Sequence, residues 1–211
     1  MKLTVTTFVS LDGVMQSPGG PGEDPSGAFD LGGWLVPFAD EDMGRQVVAW
    51  FETADAFLLG RRTYEIFASH WPRVTDENDP VASRLNHLPK YVATRTLDKG
   101  GWEATTLLKG EAEGGLVAEI RELTQRPGRD LQVHGSANLI QTLTAHDLVD
   151  EYRLFVYPVV LGRGKRLFEP GVTPSTLRHV DTKTTGAGVT VHTYRRGGAP
   201  TFGSFLLDAE E

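Results

Sequence analysis

The sequence contains no cysteine among its 211 residues. Without thiols it can form no disulfide, bind no metal through thiolates and use no cysteine nucleophile. It also has no apolar run long enough to cross a bilayer, and residues 1–5 alternate like a strand and show no signal-peptide pattern. These absences favour a cytoplasmic protein that has no membrane partner.

An excess of positive charge is also missing. The net charge is −7 and no basic stripe is visible, which argues against a nucleic-acid partner. The six histidines match no metal-ligand spacing, so we expect no metal, and no G-x-S-x-G elbow suggests a serine hydrolase. The length and the 39% hydrophobic content predict one packed domain.

Two predicted junctions between a strand, a glycine and a helix are the most informative features. Residues 60–63, Gly-Arg-Arg-Thr, follow one apolar strand, where Gly60 permits a tight turn. Residues 135–138, Gly-Ser-Ala-Asn, follow another strand at 131–134. Free N–H groups at a helix start suit a phosphate, and guanidinium groups add to this, although the first junction also fits a plain turn with solvated arginines. Neither junction has the dinucleotide or P-loop glycine spacing.

Alternation of strand and helix patterns predicts an α/β fold. We expect a three-layer sandwich with a mostly parallel central sheet and an antiparallel C-terminal edge. Residues 16–33 hold six glycines and three prolines, which is typical of a lid or binding loop. The expected strands are 3–9, 56–59, 90–94, 131–134 and 152–157, with a hairpin at 177–183 and 189–195. One expected helix follows Asp40 as N-cap, one spans 80–88, one is marked by apolar residues at 116, 120 and 123 and ends before Pro127, and one starts at Asn138.

The order of these motifs resembles the dihydrofolate reductase fold, and more closely the RibD C-terminal family, the reductase domain of riboflavin biosynthesis. The segments that carry the resemblance are 10–13 (Ser-Leu-Asp-Gly), 60–65, 134–139 and 150–168, which ends in Gly-x-Gly-x-x-x-Phe. A domain over residues 1–196 and an extension over 197–211 are expected. The zinc deaminase that often precedes this domain has no ligand set here, so the chain resembles a stand-alone member.

The resemblance implies NADPH as cofactor and a pyrimidine- or pterin-like small molecule as substrate, as in 5-amino-6-(5-phosphoribosylamino)uracil reductase. The alternative is a non-catalytic NADP(H)-binding or interaction protein on the same fold. The implied cofactor residues are Val9 and Ser10 against the nicotinamide, Gly60, Arg61, Thr63, Gly135, Ser136, Ala137 and Leu139 around the phosphates, and Thr94 and Arg95 at the adenosine 2′-phosphate.

The remaining candidates concern catalysis and assembly. Asp12 and Asp42 are candidates for substrate orientation or proton supply, with capping of the Asp-Gly turn as the alternative for Asp12. Trp34 is either a substrate-pocket wall or a core aromatic. A homodimer is expected because relatives commonly pair and residues 202–207 are apolar, although that tail could also pack back on its own domain.

Overall fold

The computed structural model describes residues 1–76 and 78–205. Eight strands and five α-helices occur in these residues. In chain order they are β1 Lys2–Ser10, α1 Glu41–Phe51, β2 Ala54–Gly60, α2 Arg61–His70, α3 Pro80–His87, β3 Lys90–Ala93, β4 Thr105–Leu108, α4 Gly115–Gln125, β5 Asp130–His134, α5 Ala137–Ala145, β6 Glu151–Tyr157, β7 Thr176–Thr184 and β8 Thr190–Gly198. Short 3-10 turns span Ser26–Ala28, Val36–Phe38 and Trp71–Arg73.

The strands form one sheet in the order β4-β3-β2-β5-β1-β6-β8-β7. Strands β1 to β6 are parallel to their neighbours among themselves, whereas β8 runs antiparallel to both β6 and β7. This arrangement confirms the predicted mostly parallel sheet with an antiparallel C-terminal edge. Because the parallel strands share one direction, the loops that follow β1, β2, β3, β4 and β5 open at the same edge.

Apolar side chains on both sheet faces form the core. On one face, Leu3 and Val5 pack with Ile120 and Leu143 of α4 and α5. On the other, Phe57 packs with further aromatic residues beside α1. Each such side chain contributes about 1.5–3 kcal/mol when it is fully buried, so burial on both faces holds the parallel strands and their connecting helices together.

Two helices begin at aspartate caps. The Asp40 carboxylate accepts a hydrogen bond from the Met43 amide at 2.8 Å, which confirms the predicted cap of α1. Asp79 accepts hydrogen bonds from the amides of Val81 and Ala82 and caps α3 in the same way. Capping of this kind is worth about 1 kcal/mol.

A buried charge network surrounds Glu151 at the start of β6. Glu151 is 3% exposed and begins β6. Its carboxylate pairs with Lys2 at 3.0 Å, Arg153 at 2.9 Å and Arg195 at 3.0 Å. Burial would raise the pKa of Glu151, but hydrogen bonds from Lys2 and Arg195 outweigh this and lower it. The network joins β1, β6 and β8 at the sheet edge opposite the loops.

The chain beyond β8 leaves the sheet. Strand β8 extends to Gly198, two residues past the expected domain end. Phe202 and Phe205 follow it with exposed side chains, so neither packs back on the domain. Residues 206–207 of the predicted apolar tail lie outside the described part of the chain. Within residues 1–76 and 78–205, no helix combines the length and the apolar character that a membrane crossing requires.

Candidate functional site

A cavity of about 920 Å³ lies at the carboxyl ends of the parallel strands. Thr6, Thr7 and Phe8 reach it from β1, and His134 reaches it from the end of β5. The junctions that follow β2 and β5 line one side, and the glycine-rich loop lines another. The cavity therefore collects the segments in which the sequence predicts ligand binding.

The two predicted junctions touch each other. The Gly60 amide donates to Ser136 Oγ at 2.8 Å, and Ser136 Oγ donates to Thr63 Oγ1 at 2.7 Å. A Cβ on Gly60 would lie 2.9 Å from the Cβ and Oγ of Ser136. Gly60 has φ −76, which any residue adopts, so the expected reason for this glycine is wrong. It is needed for the close approach of Ser136, not for a tight turn.

Three helices begin at the cavity without a side-chain cap. They are α2, α4 and α5, whose N-cap residues are Gly60, Gly114 and Ser136, and no described side chain caps them. The capped helices α1 and α3 contrast with them. Uncapped helix starts direct free N–H groups and partial positive charge at the space in front of them. Their convergence on one cavity creates a site suited to a polyanion.

The arginines near these helix starts differ in whether other side chains already bind them. Arg61 is bound to Glu65 at 2.7 Å and to Thr96. Arg95 lines the cavity and forms no ion pair with any described residue. Thr94 Oγ1 accepts hydrogen bonds from the amides of residues 96 and 97, which stabilises the turn that carries Arg95. Arg95 is therefore available to an anionic group in the cavity.

The glycine-rich loop is anchored against the cavity by Asp24. One carboxylate oxygen of Asp24 binds Arg62, and the other binds Lys165 Nζ at 2.6 Å. Burial would raise the pKa of Asp24, but hydrogen bonds from Lys165 and Ser26 outweigh it and lower the pKa to about 2. Gln16 Nε2 also donates to the Asp24 carbonyl at 2.8 Å. Arg62 thus fastens the loop, although its place in the sequence suggests a phosphate ligand.

Glu23 is a carboxylate of a different kind in the same loop. It lines the cavity, and its Oε2 accepts hydrogen bonds from the Gly19 and Gly20 amides at 2.7 and 3.2 Å. No described cation pairs with it. Burial is the largest influence on Glu23 and raises its pKa. Among the cavity carboxylates, Glu23 is therefore the one whose surroundings favour the protonated form.

His134 forms part of the cavity floor. Its ring stacks on Phe51 with centroids 4.6 Å apart. Burial, followed by the nearby charge of Arg153, lowers the pKa of His134 to about 3, so the ring is neutral. No local signal in the sequence indicates that this histidine also lines a cavity.

The structure brings most of the predicted cofactor residues together. Those that line the cavity are Gly60, Arg61, Thr63, Thr94, Arg95, Gly135, Ser136, Ala137 and Leu139. Val9 and Ser10 do not: Val9 packs in the core, and Ser10 Oγ donates to Asp12 and accepts from the Val14 amide. The contact of β1 with the cavity comes one to four residues earlier, at Thr6, Thr7 and Phe8.

Asp12 lies outside the cavity lining and has a structural role. Its carboxylate accepts hydrogen bonds from the Leu161 and Gly162 amides at 3.1 and 2.9 Å. Burial would raise the pKa of Asp12, but the hydrogen bonds from Ser10 and these amides lower it to about 2. The Asp12 carboxylate therefore holds the backbone at residues 161–162 and not its own Asp-Gly turn, and its low pKa disfavours a role in proton supply.

Asp42 and Trp34 also fall outside the cavity lining. Asp42 binds Arg45 and accepts a hydrogen bond from the Gly186 amide at 3.1 Å, so it joins α1 to the β7–β8 turn. Trp34 packs edge-on to Tyr157, and its indole N–H donates to the Gln16 carbonyl at 2.8 Å. The alternative of a core aromatic therefore describes Trp34, which supports the loop from behind. Among the described residues, no group of three or more acidic or histidine side chains could hold a metal ion.

Comparisons with known proteins agree with this geometry. The model of the RibD C-terminal domain family matches residues 1–191. The uncharacterized protein YyaP of Bacillus subtilis is 30% identical over 199 residues, covering 93% of this chain and 96% of that protein.

Solved structures show the same fold. A putative riboflavin biosynthesis protein from Shewanella sp. PV-4 superposes with a TM-score of 0.68 at 24% identity, covering 93% of this chain and 99% of that one. Dihydrofolate reductase from Enterococcus faecalis, complexed with NADP(H) and RAB-propyl, superposes with a TM-score of 0.57 at 16% identity, covering 92% and 96%. The predicted dihydrofolate reductase-like fold is thereby confirmed, and the chain belongs to the RibD C-terminal domain family.

Proposed function

We propose that the protein is an NADPH-dependent reductase of a pyrimidine- or pterin-like small molecule. The observation that carries this proposal is the convergence of three uncapped helix starts on one cavity. A dinucleotide pyrophosphate would satisfy the N–H groups that no described side chain caps. Membership of a family named for a riboflavin-biosynthesis reductase supports the reaction class.

The residues present fit such a cofactor. The close approach at Gly60, which a Cβ would block, brings both junctions to the lining of the same cavity. Residues 60–63 and 135–137 would hold the phosphates, and Arg95 would bind the 2′-phosphate that distinguishes NADPH from NADH. The dihydrofolate reductase complex with NADP(H) supports a nicotinamide cofactor on this fold.

The chain's own residues would supply the rest of the chemistry. NADPH, when bound, supplies a hydride to an electrophilic carbon of the substrate. Glu23 would hold the proton that the neighbouring nitrogen or oxygen needs, since it lines the cavity and burial raises its pKa. The loop anchored through Asp24 would cover the reacting groups and exclude water. The resemblance to the reductase domain of riboflavin biosynthesis supports a pyrimidine or pterin ring as the substrate.

Calorimetry with NADPH and NADH tests the cofactor. The unmutated protein should bind NADPH more tightly, and Arg95→Ala should weaken NADPH binding by about tenfold or more while NADH affinity stays nearly constant. Arg121→Ala, which changes an exposed arginine of α4 outside the cavity lining, is the matched control. Equal affinity of the unmutated protein for both cofactors would overturn the NADPH assignment.

Oxidation of bound NADPH tests the reaction. Diaminouracil derivatives and dihydropterins are the candidate substrates, and Glu23→Gln should lower turnover far more than NADPH affinity. Binding of NADPH without oxidation by any of these compounds would favour the non-catalytic alternative.

A further inference from the structure

The His134 ring is held so that only its edges can form hydrogen bonds. It is 8% exposed, stacks on Phe51 and lies against Phe57 with centroids 5.7 Å apart. Phe67 approaches at 6.5 Å. Aromatic contacts therefore fix the plane of the imidazole, and its two nitrogens point in defined directions.

Gln132 determines which nitrogen carries the proton. Its Nε2 lies 2.6 Å from the Trp50 carbonyl oxygen, which can only accept, and 3.2 Å from Thr53 Oγ1. The amide nitrogen must therefore face Trp50, which leaves Gln132 Oε1 facing His134 Nε2 at 2.9 Å. Because Oε1 can only accept, Nε2 carries the hydrogen. In the neutral ring Nδ1 is then an unprotonated acceptor.

His134 Nδ1 has no hydrogen-bond partner among the described residues. The buried, unpartnered side-chain atoms of the described chain are the hydroxyl oxygens of Thr4, Thr6 and Thr185. His134 Nδ1 is not among these buried atoms, so it retains some solvent exposure. His134 also lines the cavity. A fixed neutral acceptor thus borders the space where a ligand would bind.

We propose that His134 is a specificity-determining residue whose Nδ1 accepts a hydrogen bond from an N–H group of the bound ligand. The donor would be the carboxamide N–H of a nicotinamide or a ring N–H of the pyrimidine- or pterin-like substrate. The inference therefore rests on the proposed function for the class of ligand. A carbonyl or carboxylate at the same place would face the Nδ1 lone pair and be disfavoured.

Nitrogen NMR of protein labelled at histidine tests the proposal directly. The free protein should show the neutral tautomer protonated at Nε2. Adding NADP⁺ should move the Nδ1 signal if the carboxamide is the donor, and the acetylpyridine analogue, in which a methyl replaces the carboxamide amino group, should not. Adding diaminouracil should move it if the second ligand is the donor, and its N-methylated counterpart should not.

These measurements distinguish failure of the His134 proposal from failure of the proposed function. An Nδ1-protonated or cationic ring in the free protein, or no Nδ1 response to NADP⁺ or diaminouracil, overturns the proposal. Failure of NADPH to bind in calorimetry would instead reject the proposed function, while the tautomer and the diaminouracil response would still test His134.

Variants give a second readout. His134→Phe keeps an aromatic ring and removes the acceptor, so the affinity for the probe that moved Nδ1 should fall by roughly tenfold. Affinity for the corresponding probe without the N–H should not change. Thr4→Val is the matched control, because it alters a buried hydroxyl beside Gln132 in the sheet and outside the cavity lining. If His134→Phe does not fold, the NMR result on the unmutated protein decides.

Discussion

Burial of a neutral His134 should make the protein lose stability in mild acid. The pKa of its imidazole is lowered from 6.5 to about 3 by burial and by Arg153. Between these values the unfolded chain binds a proton that the folded chain does not, so stability falls as the pH falls below about 6.5 and is unaffected above it. From about pH 7 to about pH 5, this linkage removes about 2 kcal/mol of unfolding free energy.

Urea denaturation at these two pH values measures the effect. The glutamine in His134→Gln cannot titrate, but its amide can still donate a hydrogen bond to Gln132. Between the two pH values, the unfolding free energy of this variant should therefore fall by about 2 kcal/mol less than that of the unmutated protein. The control, His146→Gln, alters an exposed histidine at the end of α5 and should keep the full difference. If the unmutated protein and His134→Gln lose the same stability between the two pH values, the conclusion that His134 is buried in its neutral form is wrong.

Three further predictions concern packing, the loop and assembly. Gly60→Ala should lower the unfolding free energy by about 1–3 kcal/mol, measured by thermal unfolding, because its Cβ would lie 2.9 Å from Ser136. Adding Ser136→Gly to the same chain should restore part of this stability, and simply additive effects of the two substitutions would contradict the close approach. Asp24→Asn should speed proteolysis within residues 17–31, whereas Asp30→Asn, which removes an exposed ion pair of the same loop, should not; equal rates would refute the anchor. Light scattering should give a dimer that Phe202→Ser weakens, and a monomer mass for the unmutated protein would exclude pairing.

The parts of the fold that were predicted correctly depend on local sequence signals. The Asp40 cap, the apolar runs of the parallel strands and the C-terminal hairpin need only neighbouring residues for their recognition. Strand β4, Thr105–Leu108, was missed; it lies at the edge of the sheet, and its strand character comes from pairing with β3. The burial of Glu151 could not be predicted from neighbouring residues, because two of its three cationic partners, Lys2 and Arg195, lie on other strands.

The candidate site divides in the same way. The phosphate junctions were recognisable because glycine, arginine and hydroxyl residues occur in order along a short stretch. Arg62 anchors the loop because it binds Asp24, which lies in a distant segment of the sequence. The hydrogen bond to Gln132 determines the tautomer of His134. Asp12 has suitable chemistry for catalysis, but its carboxylate is committed to distant backbone amides. Sequence spacing alone does not indicate such commitments.

The missing caps at the cavity follow from the geometry that brings the two junctions together. A capping side chain needs an extended N-cap residue, but Gly114 and Ser136 have left-handed backbones, with φ 86 and φ 70. Gly60 is extended and could carry a cap, yet any side chain there would collide with Ser136. The close contact that aligns α2 and α5 therefore also prevents capping of α2. The free N–H groups of three helix starts remain available to an anionic ligand, at a stability cost of about 1 kcal/mol for each absent cap, which binding of that ligand would offset.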